Sequence, residues 1–173
     1  LTGAAGPTDL TAARSCVKII SLGDEDVILQ KGLPDRPAAR FNRPGQDALY
    51  LSPDELSARV AIGQYVTASN RDRLLLPVEL GACRLLDLRS GTHQDLYALA
   101  RQPWIAALEA GDTPASWQAA DAVRDRGYDG LIDPSRRRPG LWHITLFRWN
   151  EPGAPDVRIS GPACPIRLDL DFR

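Results

Sequence analysis

The stretch ARFNRPGQDALYLSPDE, residues 39–55, changes character twice within its length. A loop rich in Pro, Gly and Arg, running from Gly32 to Asp47, gives way at Ala48 to the apolar run ALYLS. That run stops at Ser52 against the start of a helix. Ala48, Leu49 and Leu51 predict a strand ending at Ser52. Ser52-Pro53-Asp54-Glu55 fits a capping box, with Pro at the first helical position and acids in the first turn. The helix is expected to reach about Tyr65 and to bury Leu56, Val60 and Gly63.

The elements outside this stretch set the fold class. CVKIIS (16–21) and DVILQ (26–30) read as short strands about an acidic turn, and residues 73–90 as one or two strands interrupted at Pro77. Residues 94–111 are predicted helical on both sides of Pro103. Thr113-Pro114 opens another helix, with Trp117, Ala120 and Val123 on one face and a stop at Gly127. GLI (130–132) and LWHITLFRW (141–149) are strands about the loop DPSRRRPG, and the tail VRIS…IRLDLDF alternates like a half-exposed strand. Strands dominate, helices are inserted, and strict βαβ alternation is absent. The expectation is an α+β fold with a mixed, mostly antiparallel sheet, in one domain spanning residues 1–173. The first fifteen residues, small and polar, are expected to be poorly ordered.

Composition narrows the function. At 173 residues, 43% hydrophobic and 25% charged, the chain has the make-up of a globular domain with a sizeable core. No apolar run approaches a membrane span, and the N-terminus lacks the basic-then-apolar order of a secretory signal. There is no Met, so Leu1 is not expected to be the natural start. Cys16, Cys83 and Cys164 are odd in number and widely spaced, which suits a reducing cytosol better than a disulfide framework or a zinc site. A net charge of −1 argues against a nucleic-acid binder. Neither a G-x-G-x-x-G nor a P-loop is present.

The residues that carry chemistry each have a plain alternative. Arg40 can fork two charge-assisted hydrogen bonds onto a phosphate or carboxylate, or can be a surface arginine. Tyr50 can stack on a heterocycle, or can be a core tyrosine with a satisfied hydroxyl. Ser135 with Arg136, Arg137 and Arg138 can grip an anion, or can be a solvated loop. His143, between Trp142 and Ile144, reads first as a hydrogen-bonded structural residue. Glu55 has a structural task in the cap, and Glu79 can face either way.

Taken together, RFNRPGQDALYLS and the later AADAVRDRGYDGLIDPSRRRPGLWHITLF resemble the RES-domain toxins. The first block of that family, R-[WF]-N-x-x-G-x-x-x-x-Y, is filled by Arg40, Phe41, Asn42, Gly45 and Tyr50. The late block, G-[YF]-D-G-[LI]-x-x-P-S-x-R, is filled by Gly127, Tyr128, Asp129, Gly130, Leu131, Pro134, Ser135 and Arg137. RLLDLRS is similar to the family's middle segment. The resemblance covers roughly residues 35–150. It implies a fold like that of ADP-ribosylating toxins and NAD consumed as substrate without a metal. It also implies a cytoplasmic toxin, an antitoxin partner carrying a helix-turn-helix domain, and no direct contact with nucleic acid or membrane.

By the same resemblance, Arg40 would hold the NAD phosphates or ribose, Tyr50 would pack against nicotinamide, and Ser135 would orient the nicotinamide ribose. Asn42, Gly45, Arg137 and His143 would complete the NAD site. The chain departs from the family at its glutamate. Eleven residues on from Tyr50 stands Ala61, and Gln64 is the nearest long polar side chain. Lacking that acid, the expected activity is transfer of ADP-ribose to a protein acceptor, rather than hydrolysis or phosphorolysis of NAD; a non-catalytic binding module is the reading from a different class.

Overall fold

The computed structural model describes residues 10–170. Two sheets form the frame. The first contains β1 (Leu10–Thr11), β3 (Leu49–Leu51), β5 (Cys83–Asp87), β6 (Gly130–Pro134) and β7 (Trp142–Leu146), in the order β1-β5-β6-β7-β3. Only β5–β6 among these pairs is parallel. The second contains β2 (Arg14–Ile20), β4 (Asp72–Leu80), β8 (Val157–Ile159) and β9 (Cys164–Arg167), with β4 between β2 and the pair β8 and β9. The helices are α1 (Glu55–Ile62), α2 (Gln94–Ala100), α3 (Trp104–Glu109) and α4 (Ala115–Asp125). The fold class is thus α+β with mostly antiparallel sheets. No helix among the described residues is long and apolar enough to cross a membrane.

Alternation along β3, β6 and β7 sorts the two faces of the first sheet. Leu49, Leu51, Ile132, Ile144 and Leu146 pack against Leu76 and Val78 of the second sheet in the main core. On the opposite face Leu131 and Phe147 meet Ala119, Ala120 and Val123 of α4 and Leu96 of α2. Gly130 leaves room for the backbone of β7: a Cβ there would collide with the Thr145 carbonyl and the Leu146 Cα. The two sheets meet at one bridge, in which Val17 and Ser52 exchange both backbone hydrogen bonds at 2.9 Å.

That bridge explains why Pro77 does not interrupt β4. Val17 lies opposite Pro77 in the β2–β4 register, yet its N–H and carbonyl are turned toward Ser52. The position that lacks an N–H therefore faces the other side, where the partner of β4 changes from β8 to β9. There the Pro77 carbonyl accepts from Ser160 N at 3.0 Å.

Other expectations need correction. Residues 26–30 form turns instead of a strand, closing local bonds from Val27 N to Asp24 O and from Gln30 N to Val27 O. Ser52 does not cap α1, because its backbone belongs to the bridge. Asp54 does, accepting from Ser57 N at 2.8 Å, a cap worth about 1 kcal/mol. Glu55 instead pairs with Arg59 at 2.7 Å, and Leu56 is exposed while Val60 and Gly63 are buried. Of the segment expected to be poorly ordered, residues 10–11 form β1 and residues 14–15 begin β2. Residues 1–9 of that segment lie outside the described residues.

Candidate active site

A cavity of about 350 Å³ opens beside the meeting point of the two sheets. Its size is that of ligand-binding clefts. Part of its wall is the outer face of β3, β6 and β7. In register, Asp133 lies opposite His143, and Thr145 lies opposite both Leu131 and Tyr50, so these five share one face. Val17, Lys18 and Ile19 of β2, Ala58, Val60, Ala61 and Ile62 of α1, and Gln64 and Tyr65 of the following 3-10 turn also line the cavity.

The Arg40 loop reaches the cavity because α4 holds it. Three successive carbonyls are bound by side chains of that helix: Ala39 O accepts from Trp117 Nε1 at 2.8 Å, Arg40 O from Ser116 Oγ at 2.5 Å, and Phe41 O from Arg124 Nη2 at 2.9 Å. Arg43 adds a two-pronged pair with Asp121, both bonds 2.8 Å. From the opposite side, Tyr50 ties the loop to its own strand. Its hydroxyl accepts from Phe41 N at 3.0 Å and donates to Asn42 Oδ1 at 2.8 Å, while Asn42 Nδ2 donates to Pro37 O and Arg43 O. Gly45, at φ +74°, turns the chain so that its N–H reaches Arg36 O, and a Cβ there would press on the Pro34 carbonyl.

The structure thus divides the residues expected in the site. Arg40, Tyr50, Ser135, Arg137 and His143 all line the cavity. Asn42 and Gly45 do not; Asn42 is buried, and both act on the shape of the loop. Ser135 Oγ is turned to its own loop, accepting from Arg137 N and Arg138 N at 3.3 and 3.1 Å. His143 Nδ1 lies 3.2 Å from Ser52 Oγ. Burial and the neighbouring Arg40 charge hold its pKa down to about 4, so the ring is neutral at neutral pH. Burial pushes the Tyr50 phenol far up, so its hydroxyl stays protonated.

Charge in the cavity is mostly positive. Among the described residues Lys18, Arg40, Arg136 and Arg137 line it, against the single carboxylate of Asp133. Lys18 Nζ donates to Tyr50 O at 2.9 Å, and burial lowers its pKa to about 8. Arg136 is anchored on Arg101 O and Gln102 O, at the end of α2. Thr145 Oγ1, buried in the wall, has no hydrogen-bond partner among the described residues.

Asp133 escaped the sequence reading although it stands inside the quoted loop. It occupies a variable position of the late block, and only the alternation of β6 marks it, since Leu131 and Asp133 must share a face. Arg40 Nη1 lies 3.6 Å from its Oδ2. Burial raises its pKa to about 6, against the lowering effect of Arg40 and Arg136. Ala61 and Gln64, the positions nearest the expected glutamate, line the cavity without supplying an acid, and neither Glu55 nor Glu79 lines it.

The sequence matches the RES domain over residues 30–171, most of its length. The chain belongs to the RES domain family. Among solved structures, this RES-domain chain is similar to one from the crystal structure of the M. tuberculosis MbcT–MbcA toxin–antitoxin complex. The TM-score is 0.59 at 17% identity, covering 90% of this chain and 85% of that one. At that identity the likeness is one of fold. No curated protein matches the sequence.

Proposed function

We propose that this RES-domain chain is the toxin of a toxin–antitoxin pair, and that it binds NAD in the cavity, breaks the nicotinamide–ribose bond and passes ADP-ribose to a protein acceptor. The observation that carries the reading is the cavity itself: a dinucleotide-sized anion would find Arg40, Arg136, Arg137 and Lys18 converging on one apolar cleft whose wall presents the Tyr50 ring. Guanidinium groups suit pyrophosphate oxygens, and an aromatic face suits a flat heterocycle. The unpaired Thr145 hydroxyl is a buried polar group that a ligand hydrogen bond would satisfy.

In this reading Arg40, held by α4, takes the phosphates or the ribose, and remote binding energy there is used to strain the scissile bond. Ser135 and Arg137 lie on the loop that completes the anion site, and His143, neutral, serves as a hydrogen-bonding group. Asn42 and Gly45 shape the loop. Transfer to a protein is supported by the exposed side chains of Tyr65, which lines the cavity, and of Ile105 and Leu108 on α3, which starts at the cavity-lining Trp104. The partner is an antitoxin, and the resemblance gives that antitoxin a helix-turn-helix domain.

A second reading, hydrolysis or phosphorolysis of NAD, is favoured by Asp133. Ala61 stands where the family has its glutamate, yet Asp133 supplies the cavity with an acid. The test is to incubate the purified chain with NAD labelled on its adenylate side, with and without cytosolic extract, and to follow nicotinamide and protein-bound label. Label on an extract protein with little turnover in its absence is the expected result. Rapid NAD loss without extract moves the function to hydrolysis or, if phosphate is required, phosphorolysis. No turnover in either case refutes both.

A further inference from the structure

Breaking an N-glycosidic bond to a cationic pyridinium leaves positive charge at C1′ of the ribose. The nucleophile that follows must lose a proton. Both needs are met by an anion beside C1′. Among the described residues that line the cavity Asp133 is the only anionic one.

Its surroundings differ from those of the other acids nearby. Asp129, one strand turn earlier, accepts from Arg84 N at 2.7 Å and from Arg148 Nε at 2.6 Å, and its task is structural. Asp121 and Asp87 each make a two-pronged contact with an arginine. Among the described residues Asp133 has one ion pair, to Arg40 at 3.6 Å, too long for a hydrogen bond; apart from that its carboxylate is favoured only by its own backbone N–H and the charge of Arg136, and its side chain is only 8% exposed. A carboxylate so enclosed and so little satisfied retains acceptor capacity for a ligand. It also shares a sheet face with Tyr50 and Thr145, at the other end from α4.

We propose that Asp133 is the carboxylate that faces the nicotinamide ribose of bound NAD, stabilises the charge at C1′ and takes the proton of the incoming nucleophile. The C1′–N1 bond breaks and its electron pair leaves with nicotinamide, which departs neutral. A lone pair of the nucleophile X–H forms the C1′–X bond, and the X–H proton passes to Asp133 and then to solvent. NAD⁺ and X–H thus give ADP-ribosyl-X, nicotinamide and a proton, with X–H an acceptor side chain or water. The role rests on the cavity being the NAD site.

Asp133 titrates among charged and titratable neighbours from each surrounding element: Arg40 from the loop before β3, Arg136 from the loop after β6, His143 across the register on β7, and Tyr50 on β3. Arg137 beside Arg136, Lys18 of β2 and Tyr65 beyond α1 are the other charged or titratable groups that line the cavity among the described residues. With His143 held at about 4 and Lys18 at about 8, Asp133, at about 6, is the group that changes charge between them.

The experiment measures nicotinamide release by the full chain from about pH 5 to 8 for wild type, Asp133→Asn and Asp133→Glu, with NAD affinity measured by calorimetry. In wild type, kcat/KM is expected to fall on the acid side with a midpoint near 6. Asp133→Asn should lose about 10²- to 10⁴-fold in kcat, keep NAD affinity within a few-fold and lose the acid limb, and Asp133→Glu should recover part of the rate. An Asn variant with wild-type kcat and an unchanged limb overturns the role while leaving the NAD reading intact. A wild type that neither binds nor cleaves NAD overturns that reading and the role with it. If Asp133→Asn fails to fold, the wild-type profile decides alone: a flat line through pH 6 refutes the proposal.

Discussion

Replacing Tyr50 by Phe removes one oxygen atom and, by our reasoning, loosens the whole Arg40 loop. That hydroxyl makes two hydrogen bonds, accepting from Phe41 N and donating to Asn42 Oδ1, and both partner residues are almost fully buried. Phe keeps the ring and its packing, so the loss is confined to one stranded donor and one stranded acceptor. Each such group costs about 1–3 kcal/mol when left unpaired. The Asn42 amide still holds Pro37 O and Arg43 O, which places the total toward the lower part of the sum, about 2–4 kcal/mol. Against a typical domain stability of about 5–15 kcal/mol that is a large fraction. Urea unfolding followed by tryptophan fluorescence reads it directly, as a midpoint lowered by about 1–2 M at the usual slopes. Asn42→Ala and the double variant complete a cycle, and the two changes should be strongly non-additive because they remove the same bond. A loss below about 0.5 kcal/mol, or simple additivity with Asn42→Ala, refutes the claim that this hydroxyl organises the loop.

Asp133 should leave a signature in stability as well as in rate. Its folded pKa is raised from 3.8 to about 6, so the folded state prefers the protonated acid. The stability this group contributes is present below pH 3.8 and is lost as pH rises through about 6. The loss, two pKa units, is on the order of 3 kcal/mol. Asp133→Asn should therefore be more stable than wild type at pH 8, with the gap closing toward pH 4; a gap constant with pH, measured by urea midpoints, sinks the idea. Gly130→Ala should abolish folding or cost more than about 3 kcal/mol, because backbone of β7 blocks the new methyl; a soluble variant with a wild-type melting temperature would refute that. Arg43→Ala should cost less than about 1 kcal/mol, since the Arg43–Asp121 pair is about 40% exposed on both sides; a chemical melt that shifts by several times that would show the pair to be a larger brace than its exposure allows.

Much of the frame was legible because period-two and period-three-to-four patterns depend on local sequence. ALYLS, GLI and WHITL became β3, β6 and β7, and the face Trp117, Ala120 and Val123 became the buried side of α4. What escaped depends on distant partners. Ser52 has the chemistry of a helix cap, but Val17 claims its backbone, and the cap passes to Asp54. Pro77 reads as a strand breaker until the change of partner from β8 to β9 is seen beside it. Residues 26–30 have the apolar content of a strand, yet their backbone closes on itself in turns. The same holds in the cavity. Arg40 and Tyr50 could be picked out from the loop and strand that carry them. The α4 side chains that fix the loop, and the carboxylate opposite, lie some 75–95 residues away.

The parallel pairing of β5 with β6 has a consequence for how the protein is made. Parallel neighbours cannot be joined by a tight turn, and here the connection is the whole of residues 88–129, with α2, α3 and α4 inside it. The Arg40 loop is translated well before α4, which holds its three carbonyls, and before β6 and β7, which carry Asp133, His143 and Thr145. A ribosome therefore releases the two halves of the cavity at widely separated times. An interrupted chain that ends short of β7 lacks the His143 and Thr145 part of the cavity wall, and one that ends short of α4 lacks Asp133 and the braces of the loop as well. The cavity is therefore complete only when β7 has emerged and paired.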